Sequence, residues 1–136
     1  MGKKVRFSGW QGDKVIRLFK RDKCKYENKH VHAEIISDGE ISILKNKLTH
    51  NTCISKDSYL KKLEGYARWQ AKDYDARITT ITFFHMLIKP TFRFIKHYIL
   101  QLGFFDGYAG FIISLYQAKA VWMRYTFLKE YLDANK

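Results

Sequence analysis

SKDSYLKKLEGYARWQAKDYD, residues 55–75, is the stretch on which the fold turns. Tyr59, Leu60, Leu63, Tyr66, Ala67, Gln70 and Tyr74 recur at helical spacing, while Lys61, Glu64, Arg68 and Lys72 fall on the other side. Ser55 can cap the first turn and Asp57 lies within it, where a negative charge meets the positive end of the helix dipole. The spacing predicts one amphipathic helix over this stretch. The Asp73-Tyr74-Asp75 pair that closes it matches the Asp-x-Asp spacing of a cation site. Such a site wants its acids at the end of a buried strand, so a solvated helix end is the expectation here.

Upstream, the pattern reads as short strands. Val15-Ile16-Arg17-Leu18-Phe19 is an apolar run closed by charge. Ile41-Ser42-Ile43-Leu44 follows the turn signal Ser37-Asp38-Gly39-Glu40, and Leu48-Thr49-His50 could pair with it. Downstream of Asp75, the only carboxylate before Glu130 is Asp106, against Arg77, Lys89, Arg93, Lys96, Lys119, Arg124 and Lys129. Phe83, Phe84, Phe92, Phe94, Phe104, Phe105 and Phe111 share that stretch. Pro90 predicts one helix ending near Lys89 and a second beginning at the proline. Gly103-Phe104-Phe105-Asp106-Gly107 then breaks the second from a last helix of about Tyr108 to Leu132.

The whole chain has 136 residues and a formal charge of +12, from 25 basic and 13 acidic side chains. That length suits one compact unit or part of a larger one, and that charge suits a polyanionic partner. One proline and eight glycines exclude collagen-like and proline-rich linker readings. Cys24 and Cys53 form no zinc spacing and no disulfide framework, so two reduced thiols in a cytoplasmic protein are expected. The first residues lack the apolar core of a signal peptide. Tyr98 to Ala118 is long enough to cross a bilayer but contains Gln101, Asp106, Gln117 and three glycines. A basic, aromatic segment of this kind fits better in the headgroup plane.

His30-Val31-His32-Ala33-Glu34 is a second candidate for chemistry, against the alternative of histidine and glutamate simply solvated on an exposed strand face. In an extended chain His30, His32 and Glu34 share a face, which brings imidazole and carboxylate within reach of one metal, phosphate or acceptor hydroxyl. Phosphate-binding glycine loops, nucleophile elbows and zinc-protease helices are absent from the sequence.

Several stretches, taken in order, resemble the C-terminal part of bacterial family 2 glycosyltransferases that build lipopolysaccharide core and other surface glycans. Trp10-Gln11-Gly12-Asp13 with Arg17-Leu18-Phe19-Lys20-Arg21 resembles the family's Trp-x-Pro-Asp…Arg-Leu-Phe-x-Arg element, with Gly12 in the place of proline. Val31-His32-Ala33-Glu34 resembles its Val-His-Glu segment with the acid one position later, and Leu48-Thr49-His50-Asn51 resembles its Leu-x-His. Lys89-Pro90, Arg93-Phe94, Tyr98-Ile99 and Gly103 through Phe111 follow in the family's order.

The resemblance implies an α/β fold, the C-terminal portion of a GT-A (Rossmann-like) domain, with acceptor-side strands over residues 1–54 and membrane-docking amphipathic helices over 55–136. The chain begins at about the tryptophan element, so a truncated enzyme without its nucleotide-sugar half is expected. By the same resemblance Glu34 and Asp13 lie near the acceptor as catalytic candidates, while His32, Trp10 and Arg17 meet substrate or diphosphate, His32 doubling as a metal ligand. Lys89, Arg93, Lys96, Phe104 and Phe105 would dock the unit on the anionic inner face of the cell membrane. A nucleotide sugar and a lipid-linked or lipopolysaccharide acceptor are the implied partners of the intact enzyme, with a magnesium or manganese ion that this chain alone is not expected to hold. No nucleic acid is expected. The alternatives are a small basic nucleic-acid-binding module and a non-catalytic membrane-surface protein.

Overall fold

A computed structural model describes residues 5–10, 16–28, 34–46, 55–75 and 78–135. The chain is mixed α/β and mostly helical, with one two-stranded sheet. Strand β1 (Cys24–Tyr26) pairs antiparallel with β2 (Ile35–Ser37), Lys25 opposite Ile36. The expected strands lie elsewhere. Residues 16–20 and 41–44 are irregular, with Leu18, Ile41, Ile43 and Leu44 exposed, and Leu48-Thr49-His50 lies outside the described residues. An apolar run becomes a strand when a partner pairs with it and covers one of its faces, and Leu18, Ile41, Ile43 and Leu44 keep most of their surface exposed.

Helix α1 (Lys56–Asp75) forms where its spacing predicts. Ser55 and Ser58 cap it reciprocally: the Ser58 N–H donates to Ser55 Oγ and the Ser55 N–H to Ser58 Oγ, each at 3.1 Å. This is a capping box with serine in place of the usual glutamate. Tyr59, Leu63, Ala67 and Ala71, four residues apart, form its buried seam.

Residues Phe84–Leu100 form one helical rod, in which α2 (Lys89–Ile95) is flanked by wider π-turns, Phe84–Ile88 and Lys96–Leu100. The expected break at Pro90 therefore does not occur. The Lys89 N–H reaches back five residues to the Phe84 carbonyl. That wider turn accommodates a residue with no N–H whose ring would crowd an ordinary helical turn.

A 3₁₀ turn, Gly103–Asp106, leads into α3 (Gly107–Ala134). Helix α1 runs parallel to α3, Lys56 meeting Tyr108 at one end and Gln70 meeting Arg124 further along. The rod folds back along α3, with Lys89 beside Tyr125 and Phe94 beside Phe111. The core is divided between Ala71, Val121, Tyr125 and Leu128 at one end and Tyr59, Leu63 and Ile113 at the other. Among the described residues α1 and the rod each pack on α3 but not on each other. A gap stays open between them.

Candidate functional site: a basic cleft between three helices

The gap is a cleft of about 830 Å³. Helix α1 contributes Lys62, the rod contributes Lys89, Arg93 and Lys96, and α3 contributes Arg124, with no carboxylate among the described lining residues. Leu63, Ile88 and Val121 line the cleft beside these cations.

Neutral groups hold several of them in position. Lys89 Nζ donates to Tyr125 Oη at 2.8 Å and sits over that ring, 4.9 Å from its centroid. Arg93 donates to Gln117 Oε1 at 3.3 Å, and Gln117 in turn donates to Tyr59 Oη at 2.9 Å. Arg124 donates to Gln70 Oε1 at 3.2 Å. These bonds orient the guanidinium groups without neutralising them. Burial and then the Arg124 charge push the Arg93 pKa down, with Tyr59 opposing. Arg93 also keeps a buried Nε with no partner among the described residues.

The N-terminal segment closes one end. Asp106, at the N-terminus of α3, turns its carboxylate away from its own helix to accept from the Arg6 N–H (3.0 Å), the Phe7 N–H (2.9 Å) and Ser8 Oγ (3.2 Å). Ser8 is fully buried, and its N–H donates to the Gln101 carbonyl. Its own carbonyl accepts from His97 Nδ1 at 2.8 Å, which fixes the His97 proton on that nitrogen. Trp10 then reaches the cleft and packs edge-on against Tyr59.

Burial lowers the His97 pKa, and Arg93 and Lys96 add to this while the Ser8 carbonyl opposes it. A histidine that titrates below its ordinary value of about 6.5 is neutral in the native state over a range where the unfolded chain binds a proton. Stability contributed by His97 is therefore complete above that value and is lost as the pH falls through the native pKa. His85, lowered by burial and by Lys89, acts in the same direction. The thermal midpoint is expected to fall between pH 7.5 and 5.5, with a shallower fall in His97→Gln. An equal slope in both proteins would remove His97 as the source.

Of the residues expected to form a site, Trp10, Lys89, Arg93 and Lys96 meet in this cleft. Phe104 and Phe105 lie exposed on the 3₁₀ turn. Arg17 and Glu34 are exposed and do not line the cleft; beside the hairpin the Glu34 carbonyl accepts from the Glu27 N–H, and the Glu34 N–H donates to the Glu27 carboxylate. Asp13 and His32 lie outside the described residues, as do His30 and Cys53. No group of three metal-ligating side chains occurs among the described residues. Asp73 is exposed near the end of α1. Sequence reasoning passes over Lys62, Gln117 and the pairing of Arg93 with Arg124. The available signal is Gln117 and Arg124, two turns apart on one side of a mostly apolar helix. No protein-family model matches the chain, and no solved structure matches it either.

Proposed function

We propose that the helical half is an interfacial membrane-docking unit and that the chain is the acceptor-side part of a family 2 glycosyltransferase working on a lipid-linked acceptor at the cytoplasmic face. The observation that carries the docking reading is an exposed apolar stripe at helical spacing along the rod. Phe84, Ile88, Phe92, Ile95 and Ile99 are each between 39% and 58% exposed. Tyr108, Phe111, Leu115 and Trp122 continue exposed apolar surface along α3, and Phe104 and Phe105 lie at the bend between them. The one acid of this region, Asp106, is engaged by the N-terminal segment and so is withdrawn from lipid phosphates.

Among the described residues no single helix is long and apolar enough to cross a membrane. The rod and α3 satisfy length and composition only as a bent pair, and their contacts lay them side by side with cations between them. Such an arrangement favours lying in the interface over crossing it. Support for glycosyl transfer is the ordered resemblance from Trp10 to Phe111. In this reading the hairpin region stands on the acceptor side.

The chain is expected to sediment with vesicles containing anionic phospholipid while turning over no nucleotide sugar. Replacing Ile95 and Ile99 together by serine removes two partly inserted side chains worth about 1 kcal/mol each, so vesicle affinity should fall on the order of tenfold or more. Undiminished sedimentation of this variant would end the docking reading. Sugar transfer by the 136-residue chain would overturn the expected inactivity.

A further inference from the structure

We propose that the cleft is a binding site for a phosphate-bearing ligand, with Arg93 and Arg124 as its central ligands and Lys62, Lys89 and Lys96 around them. The cations are distinct from the exposed stripe that docks to lipid, although its Phe84, Ile88 and Phe92 also border the cleft while Ile95 and Ile99 do not. A soluble probe tests the cations with no vesicle present. Failure of the site and failure of membrane docking are therefore separate results.

Three observations converge on it. The cations come from three separate helices and meet in one concavity with no described carboxylate on its lining. A solvated basic helix face would spread them outward, where water and salt screen each charge. Here Arg93 and Arg124 are instead partly buried and close enough for the second to disfavour charge on the first. Like charges held together in a half-dry cleft cost stability unless an anion lies between them.

The second observation is preorganisation. Gln117 and Gln70 orient the two guanidinium groups through side-chain oxygens, and Tyr125 orients Lys89. A neutral acceptor fixes direction while leaving the full positive charge for a ligand, as a site for a polyanion requires. Arg93 also retains an Nε–H with no described partner. The third is size. At about 830 Å³ the cleft has room for a phosphate group and a sizeable attached part, and Trp10, Phe84 and Phe92 give that part an aromatic wall. Arginine forks match the oxygens of a phosphomonoester or diphosphate, and the number of cations favours a ligand with more than one negative charge.

The test uses inorganic pyrophosphate, titrated calorimetrically at constant ionic strength with sulfate as the comparison. Pyrophosphate is expected to bind the wild-type chain and raise its thermal midpoint, with sulfate at least tenfold weaker. Arg93→Met should weaken pyrophosphate binding at least tenfold. Its ligand-free midpoint should hold or rise, because an uncompensated charge leaves the cleft, and this readout separates lost binding from lost fold. Arg124→Met should weaken binding comparably. Lys72→Met, which removes an exposed cation of α1, should leave binding unchanged.

A vesicle arm identifies the source of the phosphate. If phosphatidic acid, a monoester, is preferred over phosphatidylglycerol at equal surface charge and the preference requires Arg93, the ligand is a lipid headgroup. Pyrophosphate binding without that preference assigns a soluble phosphate compound. Equal weakening by Lys72→Met and Arg93→Met, or no distinction between pyrophosphate and sulfate, overturns the site.

Discussion

Gly110→Ala is expected to lower the thermal midpoint by about 5 to 10 °C, measured by circular dichroism. Two effects oppose each other at this position. Alanine is the better helix former by about 1 kcal/mol, and Gly110 lies inside α3, so propensity alone predicts a gain. Packing predicts a larger loss. A methyl group at Gly110 would overlap the Gly103 carbonyl oxygen, and it would lie 2.8 Å from the Gly103 carbonyl carbon and 2.9 Å from Asp106 Cβ.

The 3₁₀ turn has nowhere to retreat. Gly103 is itself pressed on its other side, where a methyl would lie 2.6 Å from the His97 carbonyl oxygen and 2.9 Å from Ser8 Oγ. Moving the turn away from α3 therefore disturbs the end of the rod and the buried Ser8 as well. A forced backbone shift of this kind costs on the order of 3 kcal/mol. The net loss is about 2 kcal/mol, which for a chain of this length gives the stated shift. Gly65 provides the control: it lies inside α1 with nothing within 4 Å of a built methyl. Gly65→Ala should raise the midpoint by a few degrees. Equal responses at the two glycines would mean that the turn does not press on α3.

These glycines show what the sequence makes legible. Gly103 and Gly107 mark a break between helices by composition alone, and α3 begins at Gly107. Gly107 has a φ of +59°, the left-handed backbone region in which glycine avoids strain. That Gly110 belongs to the same device is invisible locally, because its reason is the backbone of another element. The periodicity of Tyr59, Leu63 and Ala67 exposes α1 because one partner, α3, covers one face. Pro90 misleads because a proline is read against an ordinary helical turn, whereas here a π-turn precedes it. The strands mislead in the opposite way. Ile41 and Ile43 have the right residue types but stay exposed, while Cys24–Tyr26 pairs through backbone bonds that composition does not announce. The cleft was legible only in part. Lys89, Arg93 and Lys96 share a stripe that periodicity finds, but Lys62 and Arg124 join them through the packing of both flanking helices on α3.

Asp106→Ala is expected to cost about 2 to 3 kcal/mol and, before the helices melt, to release the segment from Val5 to Trp10. Asp106 stands at the N-cap, immediately before a 28-residue helix, where an acid ordinarily caps the helix backbone. It accepts instead from three donors some hundred residues away in sequence. Bonds to an ionised acceptor contribute about 1.5 to 3 kcal/mol each when shielded. The bond to the Arg6 N–H is exposed and adds little, so Phe7 and Ser8 supply most of the effect. Ser8 makes the anchor costly to lose in a second way. Its φ of 60° is uncommon for a residue with a side chain, and this conformation costs about 1 kcal/mol or more. Bonds to Asp106, Gln101 and His97 hold it there. Without Asp106 the strain favours release, and Trp10 leaves its place against Tyr59. In a Trp69→Phe, Trp122→Phe background, where both replaced rings are half exposed, the emission of Trp10 should shift to the red while helicity persists. Asp106→Asn, which keeps one acceptor but turns an amide N–H₂ toward the same donors, should fall between wild type and alanine. If Trp10 emission and the urea midpoint of Asp106→Ala match those of the parent, the long-range bonds to Asp106 do not hold the N-terminal segment on the helices.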